Sequence, residues 1–136
     1  MTAVLVDSCI LLDLFTSDPK WADWSEEKLE SCSRTAQLTI NPIIYAEISV
    51  GFRQIEEIEG ALAGLPIELR ELPREALFLA GKVFLDYRRN RGTKSSTLPD
   101  FFIGAHAAVS GLALLTRDCA RYRTYFPDLR LINPDT

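Results

Sequence analysis

The stretch AVLVDS, residues 3–8, carries four apolar side chains into an aspartate and a serine. A short apolar run of this kind, with valine at positions 4 and 6 and an abrupt polar stop, reads as a buried strand of a parallel sheet. Outward from it, residues 9–15 read as a helix ending near Ser17-Asp18-Pro19. Residues 20–32 read as a second helix, with Asp18 as its cap, Pro19 in its first turn and Trp21, Trp24 and Leu29 on its apolar face. A second strand is expected at 37–40, followed by Asn41-Pro42, a cap-plus-proline helix start. That helix runs to about Phe52 and continues past a bend at Gly51 through 54–62. Residues 67–72 are ambiguous: their alternation permits a brief strand, but the connection length for a parallel strand argues for little more than a loop.

The remainder predicts a helix over 74–89, a polar loop over 90–96, a helix over 98–109, a strand at 112–116, a short helix over 119–125 and a last strand at 129–132. Strands separated by helices imply one three-layer α/β/α domain, residues 1–136, around a central, mainly parallel sheet. In such sheets the site lies beyond the C-terminal strand ends, where both Asp7 and Asp118 fall.

Composition narrows the function classes. The 136 residues are 47% hydrophobic and 10% aromatic, which excludes a disordered chain. No apolar run reaches the roughly 18 residues of a membrane span, and the first residues lack a signal-peptide layout, so a cytoplasmic protein is expected. Cys9, Cys32 and Cys119 form no close CxxC pair, and a lone His106 excludes a histidine-rich zinc site. His106 itself reads as a packed or surface residue. The net charge of −4 hides an asymmetry: residues 18–75 hold 12 acids and 6 bases, residues 76–136 hold 5 acids and 9 bases. The latter is either an ordinary solvated surface or a basic rim facing a polyanion.

The carboxylates are the candidate chemistry. Asp7, Asp100 and Asp118 each have an ordinary alternative as helix caps or first-turn acids, residues 97–100 reading as a helix start with Thr97 as cap, Leu98 at the first position, a first-turn proline and a dipole-matched acid. Glu47 has no such alternative, because it lies mid-helix beside Ile43, Ile44, Ile48 and Gly51. Its carboxylate either reaches out from the edge of the apolar stripe or is partly buried and meets a counter-charge. No lysine or arginine at those neighbouring positions supplies that charge. Gathered carboxylates raise one another's pKa, and a divalent ion removes the conflict. Magnesium and manganese suit such a site, since they take oxygen ligands, keep several waters and need only one or two carboxylates.

Four segments, in order, resemble the motifs of the PIN domain family. Val4-Leu5-Val6-Asp7-Ser8 with Ile10-Leu11-Leu12-Asp13 is similar to the first, and Asn41-Pro42-Ile43-Ile44-Tyr45-Ala46-Glu47 to the second. Leu98-Pro99-Asp100-Phe101-Phe102-Ile103-Gly104-Ala105-His106-Ala107 resembles the third. Leu114-Leu115-Thr116-Arg117-Asp118, with Tyr122, Tyr125-Phe126-Pro127 and Leu131-Ile132, resembles the fourth and the closing strand. The length and the Tyr125-Phe126-Pro127 ending look most like VapC-type toxins of toxin–antitoxin pairs. One position departs from the pattern: Cys9 stands where the family usually has asparagine, and Ser8 is the neighbour able to replace its polar contact.

The resemblance implies a magnesium- or manganese-dependent endoribonuclease acting on structured RNA such as transfer or ribosomal RNA, leaving 5′-phosphate and 3′-hydroxyl ends. It implies a homodimer, or a larger toxin–antitoxin assembly, and an antitoxin whose C-terminal segment covers the site. Asp7 and Asp100 become direct or water-mediated metal ligands. Asp118 completes the acidic rim and orients water, and Glu47 holds an ion or accepts a proton. Asp13 is a weaker candidate that turns along the first helix. Ser8 and Thr116 are candidates for contacting water or phosphate, and Arg89, Arg91, Arg117 and Arg121 for binding flanking phosphates. Tyr87, Tyr122 and Tyr125 either pack or stack on exposed bases. Trp21, Trp24, Phe52 and Ile55 either fill the core or line a groove for an antitoxin helix. A non-catalytic RNA-binding module and a magnesium-dependent phosphatase are the competing classes, but Asp7-Ser8-Cys9 lacks the close aspartate pair a phosphatase needs.

Overall fold

A computed structural model of the chain describes residues 2–90, 92–93 and 98–135. Five strands form one sheet: β1 (Ala3–Val6), β2 (Gln37–Ile40), β3 (Ile67–Leu69), β4 (Ala113–Leu115) and β5 (Leu131–Ile132). Their order is β3-β2-β1-β4-β5 and every pairing is parallel. The helices between them are α1 (Ser8–Phe15), α2 (Ala22–Ser33), α3 (Pro42–Ser49), α4 (Ile55–Ala63), α5 (Arg74–Arg89), α6 (Pro99–Ser110) and α7 (Ala120–Tyr125). The result is the three-layer α/β/α arrangement expected from the alternation of elements.

β1 is the central strand, and all four of its residues are buried, Leu5 and Val6 completely. Both its edges are taken, by β2 and by β4, which explains an apolar run without alternation. The chain builds β1, β2 and β3 in one direction and then crosses back to add β4 and β5 on the other side. Strand order therefore reverses at β1, and the crevice beyond Val6 and Leu115, paired in register, is the switch point of the sheet.

Several elements differ from the sequence reading. Residues 67–69 form a strand paired with β2 rather than a loop. Arg70 N extends that pairing by donating to Ile40 O at 2.9 Å. Asp18 does not cap α2: it accepts from Lys20 N and Trp21 N, both at 2.9 Å, in a separate turn, and α2 begins four residues later. The bend expected at Gly51 is a full break between α3 and α4. Glu57 causes the restart, because its carboxylate accepts from Gln54 N at 2.9 Å and Arg53 N at 3.0 Å. Leu98, not Thr97, is the N-cap of α6, with Pro99 at its first position; Thr97 lies outside the described residues. Asp118 does not cap α7 either, whose N-cap is Cys119.

Two glycines have specific reasons. Gly111 ends α6 in the left-handed region at φ 66°. Gly104 faces the Phe126 ring so closely that a Cβ would sit 2.4 Å from a ring carbon. That approach lets the end of α7 pack on α6, which fixes Tyr122 relative to Asp100.

Candidate active site

Asp7 follows β1 directly and is the N-cap of α1. Its backbone N–H continues the sheet by donating to Leu115 O at 2.9 Å, so the residue is locked beside the end of β4. Only 5% of it is exposed, yet its carboxylate accepts four hydrogen bonds, one of them a long contact of 3.5 Å from Ser8 Oγ to Oδ1. Ser8 N donates to Oδ1 at 2.8 Å, Thr116 Oγ1 to Oδ2 at 2.8 Å and Tyr122 OH to Oδ2 at 3.0 Å. Burial pushes the Asp7 carboxyl above its ordinary range, and the Asp100 charge adds to this, while the hydrogen bonds oppose it. Asp7 thus does cap a helix, but capping explains one of its four bonds.

Glu47, from the middle of α3, reaches the same place. Ser8 Oγ donates to Glu47 Oε1 at 3.0 Å, so one serine links the two acids through its backbone and its hydroxyl. Burial raises the Glu47 carboxyl, and the charges of Asp7 and Asp100 raise it further against the Ser8 bond. Among the described ion pairs none reaches Asp7 or Glu47. Glu47 is the half-buried carboxylate beside other acids rather than an ion-paired one.

Asp100 lies in the first turn of α6 and is joined to Asp7 by Tyr122, whose hydroxyl is 3.0 Å from Asp7 Oδ2 and 3.4 Å from Asp100 Oδ1. Tyr122 is 1% exposed, and burial followed by the two acids raises its phenol, keeping it a proton donor. Its ring packs, as one sequence reading allows, and its hydroxyl spans two acidic residues. A tyrosine in a short helix carries no local signal for that role; only the packing of α7 on α6 creates it.

Asp118 stands outside this triangle. It is exposed, and its link to the site is its backbone N–H, which donates to Thr116 Oγ1 at 3.1 Å. With Asp100, Arg121, Tyr87 and Tyr125 it lines a groove of about 420 Å³ at the rim. Thr116 is fully buried and orients Asp7 rather than facing open solvent.

The basic residues divide sharply. Arg117 has a different task from the phosphate contact expected of it: Nε and Nη2 hold Asp13 at 2.6 and 2.8 Å, and the guanidinium lies 5.0 Å over the Trp21 ring. Asp13, which also accepts from Ser25 Oγ at 2.9 Å, is therefore a structural anchor and not a member of the acidic site. Arg121 Nη1 lies 3.3 Å from Asp100 Oδ2. Arg89 is exposed and 3.9 Å from Asp86, on the wall shared with Tyr125. Arg91 lies outside the described residues, as does Lys94.

The donor chemistry fits a hard divalent ion. Asp7, Glu47 and Asp100 offer carboxylate oxygens without an internal counter-charge on the first two. The Cys9 thiol, 3.6 Å from Thr116 Oγ1, is pushed up to about 11 by burial and then by Asp7, so in the metal-free protein it is a neutral thiol, a soft donor that suits a hard ion less than the carboxylates do. His106 is buried with Nδ1 3.0 Å from Asn41 Nδ2, and burial lowers its pKa, so it is a neutral core residue. Its partner Asn41 caps α3 by accepting from Ile44 N at 2.9 Å, which helps orient the helix carrying Glu47. No group of three His, Cys, Asp or Glu side chains among the described residues closes into a metal cage. The fit is to an open site completed by water, as magnesium prefers.

Comparison with known proteins agrees with this fold. No curated protein sequence matches the chain. Among solved structures, a chain of VapBC2 from Rickettsia felis bound to a promoter DNA fragment superposes with a TM-score of 0.75 at 17% identity, covering 97% of this chain and 98% of that one. A chain of VapBC-1 from nontypeable Haemophilus influenzae gives 0.71 at 18% identity, covering 99% and 100%. One from a toxin–antitoxin complex of Klebsiella pneumoniae gives 0.69 at 24%, covering 97% and 98%. At these identities the likeness is one of fold. A model of the PIN domain matches residues 4–127, a span that includes β1 with Asp7, Glu47, Asp100 and Asp118. The chain belongs to the PIN domain family.

Proposed function

We propose that this protein is a divalent-metal-dependent endoribonuclease and the toxin of a toxin–antitoxin pair. The observation that carries the reading is the meeting of Asp7, Glu47 and Asp100 at the switch point of the sheet, tied together by Ser8 and Tyr122. Magnesium, or manganese in its place, would supply the Lewis acidity that polarises a phosphate and makes water nucleophilic near neutral pH. Asp7 and Asp100 would hold it, directly or through water, with Glu47 holding an ion through water or accepting a proton from the attacking water.

The chain's own groups define the rest. Thr116 and Tyr122 hold one oxygen of Asp7, and Ser8 N holds the other, so the carboxylate is fixed before any ligand arrives. Asp118 stands at the rim, and orienting water is the role assigned to it in this reading. Arg121 lines the groove and Arg89 an adjoining hollow that shares Thr124 and Tyr125 with it; both would supply positive charge for neighbouring phosphates, a contact that positions RNA without reading its sequence. The toxin–antitoxin complexes among the structural neighbours support an antitoxin partner. No helix among the described residues is long and apolar enough to cross a membrane, which is compatible with a cytoplasmic RNA substrate.

The test is incubation with a mixed transfer- and ribosomal-RNA pool in magnesium, followed by mapping of product ends. Discrete products with 5′-phosphate and 3′-hydroxyl ends are expected. Cyclic 2′,3′-phosphates would refute attack by water, and RNA that is bound but never cut would make the protein a binding module.

A further inference from the structure

Arg121 and Tyr122 are consecutive residues of α7, and between them they take both oxygens of Asp100. Tyr122 OH is 3.4 Å from Oδ1, and Arg121 Nη1 is 3.3 Å from Oδ2. The two contacts differ in kind. Tyr122 is buried and also bonded to Asp7, whereas the Arg121 side chain is 42% exposed. At 3.3 Å the ion pair is longer than the roughly 2.7–2.9 Å of a firm charge-assisted bond, and exposed pairs of this sort bind weakly. It is also the one ion pair, among those described, that reaches a candidate metal ligand.

A divalent ion at Asp100 needs that oxygen or its immediate surroundings. A cation that arrives beside a guanidinium repels it, and a weak, solvent-facing pair is the contact that yields. Once released, Arg121 has somewhere specific to go, because it lines the rim groove with Asp100, Asp118, Tyr87 and Tyr125. Its planar fork suits two oxygens of a phosphodiester, which a lysine would engage only as a point charge.

We propose that Arg121 is a placeholder: it neutralises Asp100 in the free protein and transfers to a substrate phosphate when a divalent ion takes its place. The inference rests on the nuclease reading but concerns a positioning residue of this chain. It makes two effects of one substitution run in opposite directions, which a merely structural arginine would not.

The experiment titrates Mn2+ into the RNA-free protein, counting free ion by its electron spin resonance signal, for wild type, Arg121→Gln and Arg121→Lys. Steady-state RNA cleavage by the same proteins is then measured over a range of salt. Arg121→Gln is expected to bind Mn2+ about two- to fivefold more tightly, the range of a weak exposed ion pair. The same variant should show a raised KM for RNA and a logarithmic salt slope shallower by about 0.7, with kcat at saturation changed less than KM. Arg121→Lys should sit near wild type for Mn2+ and between the two for KM. Mn2+ affinity unchanged or weakened in Arg121→Gln would overturn the proposal, as would tighter Mn2+ with unchanged KM. Wild-type protein that takes up no Mn2+ would instead bring down the metal-dependent reading beneath it.

Discussion

Replacing Arg117 with methionine separates a structural arginine from an RNA-binding one. The substitution leaves the Asp13 carboxylate, 4% exposed, without the two N–H donors that now lie at 2.6 and 2.8 Å. Removing one partner of a buried pair costs about 3–5 kcal/mol, because the other charge stays buried. Two features place this case at the low end. The Arg117 side chain keeps 26% exposure, and Ser25 Oγ still donates to Asp13 at 2.9 Å. The expected loss is about 3 kcal/mol, read by urea denaturation, or roughly 10 °C in Tm for a chain of this size. The double variant Asp13→Leu/Arg117→Met, made together with Ser25→Ala so that no buried hydroxyl is left unpaired, removes both charges and should recover to within about 1 kcal/mol of wild type. Its RNA binding should keep the wild-type salt slope. A single-variant loss below about 1 kcal/mol, or additive losses in the double variant, would refute the buried-pair reasoning. A shallower salt slope would return Arg117 to the phosphate-binding set.

Asp7→Asn should stabilise the metal-free protein at neutral pH. The raised Asp7 carboxyl means the folded chain holds that proton to higher pH than the unfolded chain, so wild-type stability falls as pH rises through that window. Calorimetry should show the gap opening above the ordinary carboxylate range and closing in acid; a less stable variant at pH 7 would contradict this. Saturating Mn2+ should reverse the order, since ligand at 100 times Kd adds about 2.7 kcal/mol to wild type alone. Tyr122→Phe keeps the ring but removes the hydroxyl shared by Asp7 and Asp100, and should weaken Mn2+ binding about 10- to 100-fold with little change in Tm. Gly104→Ala puts a Cβ 2.4 Å from the Phe126 ring and should cost about 1–3 kcal/mol by denaturant titration, despite the better helix propensity of alanine.

What the sequence disclosed follows from the range over which each signal acts. β1 was legible because a central parallel strand is apolar on both faces, and β2 because Leu38 and Ile40 lead directly into Asn41-Pro42. Asn41-Pro42 was legible because capping is settled within a few residues. β3 was not, since three half-exposed residues form a strand only when β2 lies alongside. The acids themselves stood out at strand ends and, for Glu47, by sitting mid-helix without a basic neighbour. Their ties did not: Thr116 to Asp7 spans 109 residues, Tyr122 to Asp7 spans 115, and Arg117 to Asp13 spans 104. Arg117 and Arg121 look alike in the chain, and only packing shows that one is held against a buried acid and the other faces a groove.

The most direct measurement is chelation and restoration of RNA cleavage by wild type beside Asp7→Asn. Purified wild-type protein should lose cleavage in chelator and recover it with magnesium or manganese, while the folded Asp7→Asn protein stays inactive under every condition. Cleavage that persists in chelator, or that Asp7→Asn retains, would contradict a metal-dependent nuclease site built on the end of β1.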